Sequence, residues 1–129
     1  MRIVAKDLND GAPQAAVVIP VADAEDEIAR RCLTNLAATT NIPLKVFLVE
    51  SSGSEFSYGR SVNAGVLAAE GFDLIIGMDS DAFPREGAAE KLVEFMRAHP
   101  QVGYAGARII TPGTTDNIGW VLQSMPWFV

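Results

Sequence analysis

Three short apolar runs, each followed by a segment with helical spacing, constrain the fold of this chain more than any other feature. The runs cover residues 15–19, 44–49 and 73–78. Continuous apolar runs of this length are typical of strands that are covered on both faces of a sheet. Alternation of such strands with helices predicts an α/β fold, with a mainly parallel sheet, right-handed crossovers and helices on both faces.

The first helix is expected to follow the first strand after Pro20. Asp23 is its predicted cap, because a side-chain oxygen there can accept from the free backbone N–H groups of the first turn. Ile28, Cys32 and Leu36 recur at helical spacing and, together with Ala29 and Leu33, form its predicted buried stripe. Cys32 is therefore interpreted as a buried structural thiol.

Two more helices and a final strand complete the predicted pattern. The second helix spans residues 57–70 and contains Gly65, which costs about 1 kcal/mol relative to Ala inside a helix. Such a glycine predicts a close backbone approach. The third helix spans residues 86–98, and a last strand is predicted over residues 102–110. The tail, residues 111–129, receives no predicted element.

Composition narrows the class of protein. A length of 129 residues predicts a single domain over residues 1–129. No segment approaches the roughly 20 apolar residues that span a bilayer, and the start of the chain has no apolar signal core, so we expect a cytoplasmic protein without a transmembrane segment. A net charge of −6 with scattered basic residues argues against a nucleic-acid partner. One histidine and one cysteine argue against a zinc site.

Two carboxylates, Asp79 and Asp81, directly follow the third apolar run. Ligands of open α/β sheets bind at the carboxyl ends of the strands. Hard oxygen donors one residue apart can hold Mg²⁺ or Mn²⁺, which keep open positions for waters and phosphates. The pair therefore predicts a phosphate-handling site, and an ordinary polar turn is the alternative.

Four motifs in this order make the chain resemble the family 2 glycosyltransferases over roughly residues 15–119. They are Val18-Ile19-Pro20-Val21, Val49-Glu50-Ser51-Ser52-Gly53-Ser54, Asn63-Ala64-Gly65-Val66 and Met78-Asp79-Ser80-Asp81-Ala82. The resemblance implies a GT-A fold, of which this chain holds the Rossmann-like nucleotide-sugar-binding half. It also implies sugar transfer from a nucleoside-diphosphate donor with Mn²⁺ or Mg²⁺.

Site roles follow from the same resemblance. It implies donor binding by Pro20, Val21, Glu50, Arg60, Asn63 and Asp79, and metal binding by Asp79 and Asp81. Pro20 and Val21 would lie beside the nucleobase, and Glu50 would reach its edge. Arg60 would contact the diphosphate or the base. The alternatives are a solvated loop carboxylate at Glu50 and a surface arginine at Arg60.

The chain also departs from the family. Members usually continue into an acceptor-binding half, so the chain is expected to be truncated, and no carboxylate follows Asp116. The resemblance therefore assigns no catalytic base. Members generally have Asp where Glu50 stands, and Val21-Ala22-Asp23-Ala24 replaces the usual aromatic residue and Asn. The chain therefore departs from the family at the residues expected to contact the base and agrees with it at Asp79 and Asp81.

Three functional hypotheses remain. The first is a domain that binds a nucleoside-diphosphate sugar for transfer to an unknown acceptor, which is a saccharide, a lipid or a protein. The second is a non-catalytic nucleotide-sugar-binding module that lacks the acceptor half. The third is a haloacid-dehalogenase-like phosphatase, although that family places its Asp-x-Asp loop on the first strand. Aromatic residues in the tail, Trp120, Trp127 and Phe128, could stack on an acceptor, join the core, or contact a partner half or a second copy.

Overall fold

The computed structural model describes residues 1–109, which form a sheet of four strands and three α-helices. In chain order they are β1 (Arg2–Leu8), β2 (Ala15–Val21), α1 (Glu27–Thr39), β3 (Leu44–Glu50), α2 (Tyr58–Ala68), β4 (Ile75–Gly77) and α3 (Ala88–Ala98). The strand order is β1-β3-β2-β4. β2 runs parallel to β3 and β4, whereas β1 is antiparallel to β3. The predicted α/β fold with a mainly parallel sheet is confirmed.

The two central strands hold the core because both of their faces are covered. Every residue of β2 is buried. Val17 and Ile19 of this strand belong to one apolar cluster with Cys32 of α1 and Val93 of α3. The other face of the sheet meets α2 and the segment after it. Helices therefore cover both faces, which explains why β2 lacks the alternation of a strand with one face in water.

The approach of α2 to the sheet is closest at Gly65. A Cβ atom at this position would overlap Val18 Cγ1 and would lie 3.0 Å from Val49 Cγ2. Val18 and Val49 belong to the neighbouring strands β2 and β3, so the helix backbone lies directly on the sheet. The predicted close approach at Gly65 is confirmed.

The start of α1 differs from the prediction. Asp26 is the cap, and its Oδ1 accepts from the backbone N–H of Ala29 at 2.7 Å. Asp23 instead accepts from the N–H of Glu25 at 2.8 Å, within the turn after β2. Ile28 is 56% exposed, so its predicted place in the buried stripe is wrong. Ala29, three residues before the buried Cys32, is itself buried, as predicted.

The two ends of the described chain also differ from the prediction. The strand predicted over residues 102–110 is wrong for residues 102–109, which form no strand. Residue 110 lies outside the described part of the chain. The stretch contains Gly103 and Gly106, and glycine is a poor strand former. In contrast, β1 was not predicted.

Within residues 1–109 no helix has the length and apolar character needed to cross a bilayer. The tail aromatic residues lie outside the described part, and the single-domain and cytoplasmic assignments stay predictions.

Candidate functional site

The three parallel strands end at one edge of the sheet, which we call the carboxyl edge. Val21, the last residue of β2, pairs in register with Glu50, the last residue of β3. Beyond β4, the N–H of Met78 donates to the carbonyl of Val18 at 3.0 Å, so the chain leaves this strand beside β2. The polar segments after β3 and β4 therefore lie at the same edge, as the sequence predicts.

Asp79 is tied to the start of α2. The hydroxyl of Tyr58, the first residue of that helix, donates to Asp79 Oδ1 at 3.0 Å. This hydrogen bond is the main reason that the pKa of Tyr58 is raised, with burial second. Tyr58 was not among the predicted site residues, and its contact with Asp79 was not predicted. The bond restricts the orientation of the Asp79 carboxylate.

Asp81 lies in a tight turn that follows Asp79. The N–H of Ala82 donates to the carbonyl of Asp79 at 3.1 Å. Beneath the turn, burial and then the charge of Asp81 raise the pKa of the Cys32 thiol to about 11. A thiol with so high a pKa is protonated at neutral pH and is a poor nucleophile. Cys32 is buried, as expected, and is not a candidate nucleophile.

The acid pair can be compared with what a divalent cation requires. Asp79 and Asp81 are both exposed, and within residues 1–109 no group of three or more His, Cys, Asp or Glu side chains could hold a metal. Two carboxylates fit Mg²⁺ or Mn²⁺ when waters and substrate phosphates fill the other positions. The donor set therefore fits a metal that is shared with a phosphorylated ligand.

Glu50 is held by two donors rather than freely solvated. Its Oε2 accepts from Arg2 Nη2 at 2.9 Å and from the backbone N–H of Ala24 at 2.9 Å. The hydrogen bond from Arg2, followed by that from Ala24, holds the pKa of Glu50 below its usual value. Glu50 is therefore an ionised acceptor at neutral pH. The sequence did not predict Arg2, because β1 itself was missed.

A buried pair of hydroxyls joins β3 to α2 below the carboxyl edge. Ser51 Oγ and Ser61 Oγ lie 2.9 Å apart, and both residues are buried. The N–H of Ser51 also donates to the carbonyl of Val21 at 3.1 Å. Ser61 shares its helix face with Gly65 and Ala69, at positions i, i+4 and i+8. A serine on this stripe of small residues was a signal that sequence reasoning overlooked.

Removal of one hydroxyl of this pair should destabilise the fold. We expect Ser61→Ala to lower the free energy of unfolding by about 2 kcal/mol, because Ser51 Oγ is left buried without its partner. The double variant that also carries Ser51→Ala should lose less than the sum of the two single losses. Urea unfolding of the wild type, the two single variants and the double variant gives the coupling free energy between the two hydroxyls. Additive losses would show that the hydroxyls do not interact.

The other predicted site residues occupy two environments. Pro20 and Val21 are buried at the end of β2, so a ligand can contact them only from the carboxyl edge. Arg60 and Asn63 are exposed on α2, one turn apart. The described structure brings Tyr58, rather than Arg60 or Asn63, into hydrogen-bonding contact with the acid pair.

Comparison with known proteins identifies a family. A family profile described as glycosyl transferase family 2 matches residues 18–129. Neither a curated protein nor a solved structure matches the chain. The matched range begins within β2 and includes Glu50, Asp79 and Asp81, whereas Arg2 and all of β1 lie before it. The match favours glycosyl transfer over the phosphatase alternative.

Proposed function

Because this chain belongs to glycosyl transferase family 2, we propose that it binds a nucleoside-diphosphate sugar at the carboxyl edge through a divalent metal. The observation that carries the proposal is the exposed pair Asp79 and Asp81, with Asp79 oriented by the hydroxyl of Tyr58 at 3.0 Å. Paired carboxylates at the carboxyl ends of parallel strands suit a metal ion that a phosphorylated ligand shares.

Asp79 and Asp81 would hold Mn²⁺ or Mg²⁺, with Asp81 as the direct ligand. When bound, the metal neutralises the charge that the diphosphate gathers as the sugar leaves. Tyr58 keeps one oxygen of Asp79 engaged and so limits the orientations of its carboxylate. An oriented ligand costs less to bring into a metal site than a mobile one.

The remaining residues would position the donor. Pro20 and Val21 would lie beside the nucleobase at the end of β2, and Glu50 would accept from its edge. Arg60 and Asn63 project from the exposed face of α2, where Arg60 would contact the diphosphate. The sugar acceptor is a saccharide, a lipid or a protein hydroxyl. These assignments place base, diphosphate and metal along one edge of the sheet.

The first test is binding. We expect nucleoside diphosphates to raise the melting temperature of the chain only when Mn²⁺ is present, because the two carboxylates and the diphosphate share the ion. Thermal shift with uridine diphosphate and guanosine diphosphate, each with Mn²⁺ or with EDTA, measures the effect. Uridine without phosphates is the matched control and should give no metal-dependent shift. An equal shift in EDTA would contradict metal-mediated binding.

Turnover separates the two remaining hypotheses. Hydrolysis or transfer of the sugar from a bound sugar nucleotide identifies an enzyme, whereas metal-dependent binding without either reaction identifies the non-catalytic module.

A further inference from the structure

An open cavity lies between α1 and the segment that leads from β4 to α3. The Sγ atom of Cys32 lies 4.0 Å from the carbonyl oxygen of Asp79, and the N–H of Gly87 donates to the carbonyl of Thr39 at 2.9 Å. The connecting segment therefore runs along one side of α1. The cavity between them, which we call the α1 cavity, has a volume of about 480 Å³ and is lined by Arg30, Arg31, Thr34, Asn35, Ala38 and Phe83.

The helix side of this cavity is formed by one polar face of α1. Its members recur at intervals of three and four residues, the spacing that places side chains together on a helix: Arg31, Thr34, Asn35 and Ala38. A different face of the helix, with Ala29, Cys32 and Leu36, is buried in the core. The polar face is therefore not used for packing α1 against the sheet.

Arg31 is held in the cavity by an aromatic ring. Its guanidinium carbon lies 5.6 Å from the centroid of the Phe83 ring, which is a cation–π distance. Such a contact engages the charge of the guanidinium and not its five N–H donors. No residue within 1–109 accepts a hydrogen bond from Arg31. Phe83 therefore restricts the position of a cation whose donors are all available.

Arg30 adds donors to the same cavity. Its Nε donates to the backbone carbonyls of Glu25 at 3.0 Å and Asp26 at 3.4 Å, which leaves both Nη groups without an acceptor in the described part of the chain. Both ion pairs found within residues 1–109 involve other residues, so neither Arg30 nor Arg31 is paired with a carboxylate. In a chain of net charge −6, two unpaired arginines beside one cavity favour an anionic ligand.

The rest of the lining suits a saccharide. Cavities of about 300–1,000 Å³ hold small organic ligands, so the α1 cavity exceeds what a bare ion requires. Thr34 contributes a hydroxyl, and Asn35 Oδ1 has no donor within residues 1–109. Sugar hydroxyls both donate and accept, so they can bond these two groups after a small rotation of the amide. Phe83 is 51% exposed and offers an apolar surface to the C–H groups of a sugar ring.

We propose that the α1 cavity binds an acidic saccharide, with the anionic group of the ligand on Arg30 and Arg31 and its ring hydroxyls on Thr34 and Asn35. A carboxylate and a phosphate can each accept two parallel N–H bonds from a guanidinium, so the shared chemistry is an oxyanion carried on a sugar ring. This site is separate from the donor residues and needs no metal. It therefore goes beyond the proposed function and does not depend on it.

NMR titration of the full chain in metal-free buffer, followed at the Nε–H signals of Arg30 and Arg31, tests the site. We expect glucuronate and glucose 6-phosphate to bind at least tenfold more tightly than glucose, as one hydrogen bond to a charged group gives. Glucose 6-phosphate should also bind more tightly than inorganic phosphate, because only the sugar reaches Thr34 and Asn35. The acid sugar that binds more tightly identifies the anion as carboxylate or phosphate.

Two variants test the lining residues. Arg31→Met should weaken the binding of both acid sugars about tenfold. Phe83→Leu keeps an apolar side chain but removes the ring, and should weaken binding about threefold, as loss of an exposed cation–π contact implies. Arg31 and Phe83 are both exposed, so we expect each variant to keep the melting temperature of the wild type. Arg108→Met is the matched control, because Arg108 is an exposed arginine outside the α1 cavity and its loss should leave binding unchanged.

Each part of the inference has a result that would overturn it. Equal binding of glucose and the acid sugars would overturn the anionic ligand, and equal binding of inorganic phosphate and glucose 6-phosphate would overturn the saccharide. No loss in Arg31→Met, or an equal loss in Arg108→Met, would overturn the cavity as the binding site. Displacement of the acid sugar by uridine diphosphate with Mn²⁺ would place it in the donor site instead. Failure of nucleoside diphosphates to bind would overturn the proposed function alone.

Discussion

Asp81→Asn should abolish most of the stabilisation that a nucleoside diphosphate and Mn²⁺ give to this chain. At a ligand concentration a hundred times the dissociation constant, the wild-type free energy of unfolding should rise by about 2.7 kcal/mol. The amide keeps the size of the side chain but removes the negative charge that the ion requires. Urea unfolding with the diphosphate, with and without Mn²⁺, measures the loss.

Asp73→Asn is the matched control for this experiment. Asp73 is also an exposed carboxylate, but it precedes β4, whereas Asp81 follows that strand. Loss of the Asp73 charge should therefore leave the Mn²⁺ response intact. If Asp81→Asn responded to Mn²⁺ as the wild type does, the assignment of the metal site to this turn would be wrong.

The central sheet could be predicted because its signal is local. Residues 15–19 and 44–49 are apolar at every position or nearly so, and the structure buries β2 and β3 on both faces. The antiparallel strand β1 lacks this signal. It lies at the edge of the sheet, most of its residues are exposed, and its strand conformation depends on pairing with β3, which is distant in the sequence.

The position of Asp79 and Asp81 at the carboxyl edge could also be predicted, but the hydrogen bonds formed there could not. Asp79 and Asp81 follow an apolar run, and that position alone assigns them to the carboxyl edge. The bond from Tyr58 to Asp79 depends on how α2 meets the end of β4, and the bond from Arg2 to Glu50 depends on the β1 register. Sequence patterns report burial along one element, whereas these bonds join side chains from different elements.

Gly65→Ala should be among the most destabilising single substitutions in α2. In an exposed helix this change stabilises by about 1 kcal/mol, because Ala has the higher helix propensity. Here the new methyl group would overlap Val18 Cγ1 and would lie 3.2 Å from Val18 Cβ. Val18 is 1% exposed in the central strand and has little space to move. We expect a net loss of about 3 kcal/mol, the cost of overpacking a core.

Gly59→Ala in the same helix separates packing from helix propensity. A Cβ atom at Gly59 would have no atom within 4 Å among those described, so the substitution adds propensity without a clash. We expect it to raise the free energy of unfolding by about 0.5 kcal/mol. Urea unfolding of Gly65→Ala and Gly59→Ala shows whether packing against the sheet or helix propensity determines the change in stability. If Gly65→Ala were also neutral or stabilising, α2 could withdraw from the sheet at little cost. Tyr58 and Asp79 would then no longer be held together by the packing of this helix.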